Sequence, residues 1–125
     1  MYYKVLIVDD AGVMLRNLKQ LIDDVCDVRL AVSGAIALSS IKNDKPDIIF
    51  LDYDMPVMNG EETFDAIRNL ENGKDIPIVF LTGADDKTTI MRLMRKKPDG
   101  YLLKPPAKEK IISVIEKIMS EREEK

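Results

Sequence analysis

The run Ile48-Ile49-Phe50-Leu51 is four large apolar residues with no polar break, and it stops at a carboxylate, Asp52. A strand that alternates apolar and polar residues has one wet face, whereas an unbroken run reads as a strand buried on both faces. Pro56 and Asn59-Gly60 then interrupt the chain before the next apolar periodicity. A strand covered on both sides belongs to a parallel sheet, and Asp52 then stands at the sheet's carboxyl edge, where open α/β folds bind ligands.

The same unit recurs along the chain. Lys4–Val8 reads as a strand ending in Asp9-Asp10. Met14–Val25 carries a helical stripe. Val28–Val32 is a short strand, and Ser33 caps a helix reaching about Lys42. After the strand 48–51, Asn59 caps a helix carrying Phe64, Ile67 and Leu70. Ile78–Leu81 is a fourth strand, ending at Thr82, and a helix over roughly Asp86–Lys96 follows. Tyr101–Leu103 is a fifth strand ending at Lys104-Pro105. Pro106 suits the first turn of a last helix, and the tail from Ser120 is solvated charge. The expected fold is α/β: a (βα)5, doubly wound, flavodoxin-like sheet of five parallel strands in the order 2-1-3-4-5, one domain over residues 1–125.

Several classes of chemistry are excluded. The 125 residues contain no histidine, so a Ser-His-Asp triad, a histidine metal site and phosphohistidine donation are all ruled out. The single cysteine, Cys26, lies among apolar residues and reads as a buried structural thiol. Net charge is −3 with acids and bases interspersed, which gives no basic face for direct nucleic-acid binding. No stretch is apolar for long enough to cross a membrane. A cytoplasmic protein is expected.

Four of the five strands end in a polar group: Asp9-Asp10, Asp52, Thr82 and Lys104. Each has a bland reading as a helix cap or a surface residue. In the order 2-1-3-4-5, however, all four ends meet at one crevice. Three clustered carboxylates repel unless a cation is among them, and all-oxygen ligation suits Mg²⁺. A cation, a lysine and a hydroxyl converging on a carboxylate form a site for phosphoryl transfer.

On these residues the chain resembles the receiver domain of two-component response regulators. The resemblance rests on Val8-Asp9-Asp10, Asp52-x-x-Met55-Pro56-x-x-x-Gly60, Thr82 and Lys104-Pro105. It implies that Asp52 is the phospho-acceptor, taking a phosphoryl group from a phosphohistidine on a sensor histidine kinase or histidine phosphotransfer protein. It implies Mg²⁺, with Mn²⁺ as a substitute, held by Asp9, Asp10, Asp52 and the main-chain carbonyl of Asp54. Thr82 and Lys104 would contact phosphoryl oxygens, and Lys104-Pro105 would be cis. Thr82 and Tyr101 would form the switch that reshapes the face made by the fourth helix, fifth strand and fifth helix. A downstream protein or output domain would read that face, or phosphorylation would drive homodimerisation. Asp54 and Ala84 would tune how fast the phosphoryl group is lost. Met91 and Met94 are either core or an adaptable partner surface, a question of exposure. Two other readings stay open: a haloacid-dehalogenase-type phosphatase, from Asp52-Tyr53-Asp54, and a non-phosphorylated adaptor. The phosphatase pattern places its nucleophile strand early and its acidic pair late, the reverse of this chain.

Overall fold

A computed structural model describes residues 2–83 and 87–123. Five strands alternate with five helices: β1 (Tyr3–Val8), α1 (Gly12–Ile22), β2 (Cys26–Ala31), α2 (Gly34–Asn43), β3 (Ile48–Asp52), α3 (Gly60–Asn69), β4 (Ile78–Thr82), α4 (Lys87–Met94), β5 (Gly100–Leu103) and α5 (Lys108–Glu123). A short 3₁₀ turn, Glu71–Gly73, follows α3. The strands form one parallel sheet in the order β2-β1-β3-β4-β5, the expected topology.

The sheet has a core on each face because its central strands have no wet side. All five residues of β3 and all five of β4 are buried. Ile48 and Phe50 join Val5, Ile7, Leu15, Ile22, Ile111 and Ile115 on one face. Ile49 and Leu51 join Leu6, Ala37, Phe64, Ile67, Phe80 and Leu93 on the other. Each such side chain contributes about 1.5–3 kcal/mol on burial, so β3 and β4 form the firmly held centre of the sheet.

Several boundaries differ from the sequence reading: β2 is Cys26–Ala31 instead of Val28–Val32, and α4 ends at Met94 instead of about Lys96. α1 spans Gly12–Ile22, not Met14–Val25; Asp23 is its C-cap, and Val25 is an exposed turn residue whose apolar character falsely extended the stripe. Chain reversal there lets Cys26 open β2 opposite Tyr3, and its thiol is buried as expected. Pro106 lies two residues before α5, in the approach to it. Ser120–Glu123, read as solvated charge, are exposed and continue α5 as its last turn. Asp86, the expected start of the fourth helix, lies outside the described residues. Among the described residues, no helix is long and apolar enough to cross a membrane.

Candidate functional site

Strand register builds the site. Val8 pairs with Leu51, so the residues that follow them, Asp9 and Asp52, lie side by side. Asp52 pairs with Leu81, and Thr82 pairs with Leu103, which puts Thr82 and Lys104 one step further along the same edge. Main-chain hydrogen bonds carry the ladder past the strand ends: Asp9 N donates to Ala31 O at 3.1 Å, Tyr53 N to Leu81 O at 2.9 Å and Lys104 N to Thr82 O at 2.9 Å. The Lys104-Pro105 bond is cis.

The side chains converge. Lys104 Nζ lies 2.8 Å from Asp52 Oδ1 and 3.0 Å from Asp9 Oδ2, so one ammonium bridges two carboxylates. Asp9, Asp52 and Thr82 are at most 1% exposed, while Asp10 is exposed at the rim. One oxygen from each of Asp9, Asp10 and Asp52 falls within 4.8 Å of the others, close enough to hold a metal ion together. Asp9 Oδ1 accepts from the Ala11 amide at 2.9 Å, which braces the loop into α1.

Two negative charges and one positive charge share this buried space. Burial pushes the Asp52 carboxyl up to about 6; Lys104 opposes that rise and the neighbouring Asp9 charge adds to it. Burial also pulls the Lys104 ammonium down, but Asp52 and Asp9 outweigh it and hold its pKa above the ordinary lysine value. Asp52 Oδ2 and Asp9 Oδ2 are buried with no hydrogen-bond partner among the described residues; the Lys104 approach to Asp9 Oδ2 is an ion-pair contact without that alignment. Orphaned carboxylate oxygens cost free energy in a dry site. Two of them facing an exposed third carboxylate, in an all-oxygen set open to water, fit a hard divalent cation such as Mg²⁺.

The β3–α3 loop holds Asp52 in place. The Asp54 amide donates to Asp52 Oδ1 at 3.3 Å, while the Asp54 side chain points to solvent. At the loop tip Met58 N donates to Pro56 O at 2.6 Å across Val57, a γ-turn with φ of 66° at a fully exposed β-branched residue. Such backbone is strained and persists where its surroundings over-determine it. Those surroundings are visible. Asn59 and Glu62 form a reciprocal capping box at the start of α3. Gly60 N donates to Tyr53 O at 2.9 Å, and a Cβ on Gly60 would stand 2.6 Å from Asp52 O and 2.7 Å from Tyr53 Cα. Only glycine fits, because α3 starts directly against the backbone that presents Asp52.

A match to the family model described as response regulator receiver domain covers residues 5–116. The chain belongs to the response regulator receiver domain family. Like other receivers, it has clear relatives. It is 34% identical over 113 residues to the protein PilG of Pseudomonas aeruginosa, covering 90% of this chain and 84% of PilG. It is 36% identical to a nitrate/nitrite response regulator homolog of Haemophilus influenzae, covering 92% of this chain but 56% of that protein. The chain thus spans about half the length of that regulator. Among solved structures, chemotaxis protein CheY4 of Vibrio cholerae superposes with a TM-score of 0.86 at 28% identity, covering 94% of this receiver and 98% of CheY4.

The expected site residues divide into two groups. Asp9, Asp10, Asp52, Thr82 and Lys104 come together at the carboxyl edge of the sheet. Tyr101 is on the edge strand, 38% exposed, and Ala84 lies outside the described residues. Met91 and Met94, at 61% and 43% exposed, belong to the surface of α4. A separate cleft opens at the opposite end of the strands, beside Tyr3, Cys26 and Ile115, and includes none of the five converging residues. Sequence reasoning passed over Tyr53, Glu61 and Arg92, which form a polar chain running from the residue after Asp52 to α4. The signal for it is a matched spacing: acids at 61 and 65, bases at 92 and 96.

Proposed function

We propose that this receiver, a single domain over residues 1–125, is the phospho-acceptor module of a two-component system, with Asp52 as the acceptor. The observation that carries the reading is the bridging position of Lys104, 2.8 Å from Asp52 and 3.0 Å from Asp9, above three convergent carboxylates. An Asp52 oxygen attacks the phosphorus of a phosphohistidine on a histidine kinase or phosphotransfer protein. A P–O bond forms, the P–N bond breaks, and its electron pair leaves on the imidazole nitrogen, giving an acyl phosphate.

Asp9, Asp10, Asp52 and the main-chain carbonyl of Asp54 would hold Mg²⁺, with Mn²⁺ as a substitute. The cation supplies neutralisation of charge on the transferring group. Lys104 leaves its bridge to pair with a phosphoryl oxygen, and the Thr82 hydroxyl donates to another. Because Asp52 is buried, it is an effective nucleophile only as the anion, which Lys104 favours. Thr82 and Tyr101 then carry the change to the face of α4, β5 and α5, read by a downstream protein, an output domain or a second phosphorylated copy. The exposed Asp54 side chain, at the mouth of the pocket, influences attack by water on the acyl phosphate. Ala84 is its proposed partner in tuning. A cytoplasmic site of action follows from this role.

The test is intact mass after incubation with acetyl phosphate and Mg²⁺. Wild type gains one phosphoryl group; Asp52→Asn and chelator-treated protein gain none, and Lys104→Met gains it at least tenfold more slowly. Steady phosphate release without an adduct, dependent on Asp52 and Asp54, would replace this reading with a phosphatase.

A further inference from the structure

Beside the carboxylates lies a second polar arrangement that phosphoryl transfer does not require. Glu61, the second residue of α3, is 14% exposed at its side chain, and its Oε1 has two partners. It accepts the Tyr53 hydroxyl at 3.1 Å and lies 2.7 Å from Arg92 Nε on α4. One turn further along α3, and in the turn that follows α4, Lys96 Nζ lies 3.2 Å and 2.9 Å from the two Asp65 oxygens. Residues 61 and 65 are spaced to share one face of α3, so α3 is joined to α4 and the turn after it by a two-rung ladder of ion pairs.

α4 buries little apolar surface. Leu93 is its one buried side chain, and Met91 and Met94 face outward. By contrast, Tyr53 is braced on every side. Its amide donates to Leu81 O, its carbonyl accepts from Gly60 N, and its ring stands edge-on to Phe80 with centroids 6.5 Å apart. One carboxylate oxygen therefore contacts both the residue after Asp52 and a helix with one buried side chain.

We infer that Glu61 is a positioning residue that latches α4 to the Asp52 segment through Tyr53 on one side and Arg92 on the other. The coupling to phosphorylation rests on the acceptor role proposed for Asp52; the latch does not. Leu81, whose carbonyl holds Tyr53, immediately precedes Thr82. When Thr82 is drawn toward a phosphoryl group, Leu81 moves with it, Tyr53 shifts against Glu61, and the hold on Arg92 loosens. α4 is the bistable element, and the ladder sets its resting position.

Exposed ion pairs often contribute nothing measurable, so the latch needs a direct test. Hydrogen–deuterium exchange of the full chain, read over residues 87–97, supplies it. In Arg92→Ala and Glu61→Gln, α4 exchange rises about three- to tenfold while β3 and β4 stay protected, and Tyr53→Phe gives a smaller rise, about twofold. The exchanged pair Glu61→Arg with Arg92→Glu restores protection, and added salt loosens α4 in wild type but not in Arg92→Ala. Equal α4 exchange in wild type and Arg92→Ala overturns the latch. So does loosening that the exchanged pair fails to reverse. Phosphodonor should raise α4 exchange in wild type and leave Asp52→Asn unchanged. A mass gain with unchanged α4 exchange overturns the coupling and leaves the acceptor assignment standing. Absence of a mass gain removes the acceptor assignment, while the unphosphorylated comparisons still decide the latch.

Discussion

β3 and β5 are neighbours but one in the same sheet, and they are built on opposite terms. Every residue of β3 is buried, whereas β5 alternates half-buried Gly100 and Leu102 with exposed Tyr101 and Leu103. β3 delivers Asp52 from the centre of two cores, with Gly60 pressed on its backbone and the Asp54 amide on its carboxylate. β5 delivers Lys104 from the edge of the sheet, and α4, the helix that leads into it, buries one side chain. Chemistry at an acyl phosphate needs fixed geometry, and a surface that changes partners needs a shallow hold. Under the proposed role, the first falls on a fully buried strand and the second on a half-exposed edge.

The contrast can be broken first at Gly60. Gly60→Ala forces a methyl group against the main chain of Asp52 and Tyr53, and neither can withdraw without disturbing β3. Unfolding in urea should show a loss of about 3 kcal/mol, with slower gain of the phosphoryl group from acetyl phosphate. A variant of wild-type stability would mean the β3 end yields more readily than its packing indicates.

The next effect sharpens the electrostatic side. Asp52 titrates near 6 in the folded chain, above the ordinary value of 3.8. The folded state therefore holds the extra proton between those values, and Asp52 lowers stability as pH rises through that window. Without Mg²⁺, the advantage of Asp52→Asn over wild type should grow from pH 4 to 6 and level off above, reaching on the order of 2–3 kcal/mol. Thermal melts of both proteins across that range check it, and a constant difference would refute the shift. Mg²⁺ should shrink the difference by stabilising the wild type.

The smallest effect belongs to the loose region. Met91→Ala and Met94→Ala remove exposed thioethers and should change stability by less than about 0.5 kcal/mol. A melting-point loss of several degrees in either would show that α4 is packed as a core helix after all.

The order of strands and the residues at their ends were legible because buried parallel strands leave continuous apolar runs, and the turn residues after them have few other uses. Asn59 and Ser33 announced their helices as caps, and each accepts a hydrogen bond from a first-turn amide in the fold. The start of β2 was hidden because Val25 and Cys26 are both apolar, yet one faces water and the other the core. Single-residue hydrophobicity does not register that difference. The Glu61–Arg92 contact was hidden for another reason: it joins helices 31 positions apart, and only the placement of α4 beside α3 makes the spacings meaningful.

One consequence of the short edge strand concerns solubility. A sheet border offers unpaired amides and carbonyls to any passing extended chain, and growth there leads to aggregates. β5 is four residues long, with Pro98 before it, Pro105 and Pro106 after it, and lysines at 96, 97 and 104. The opposite border, β2, carries Asp27 and Arg29. Proline cannot donate to an added strand, and like charges resist stacking of identical copies. The segment that aims an ammonium at two carboxylates thus also terminates the sheet, and loosening it for signalling would not open a template for self-association into fibres.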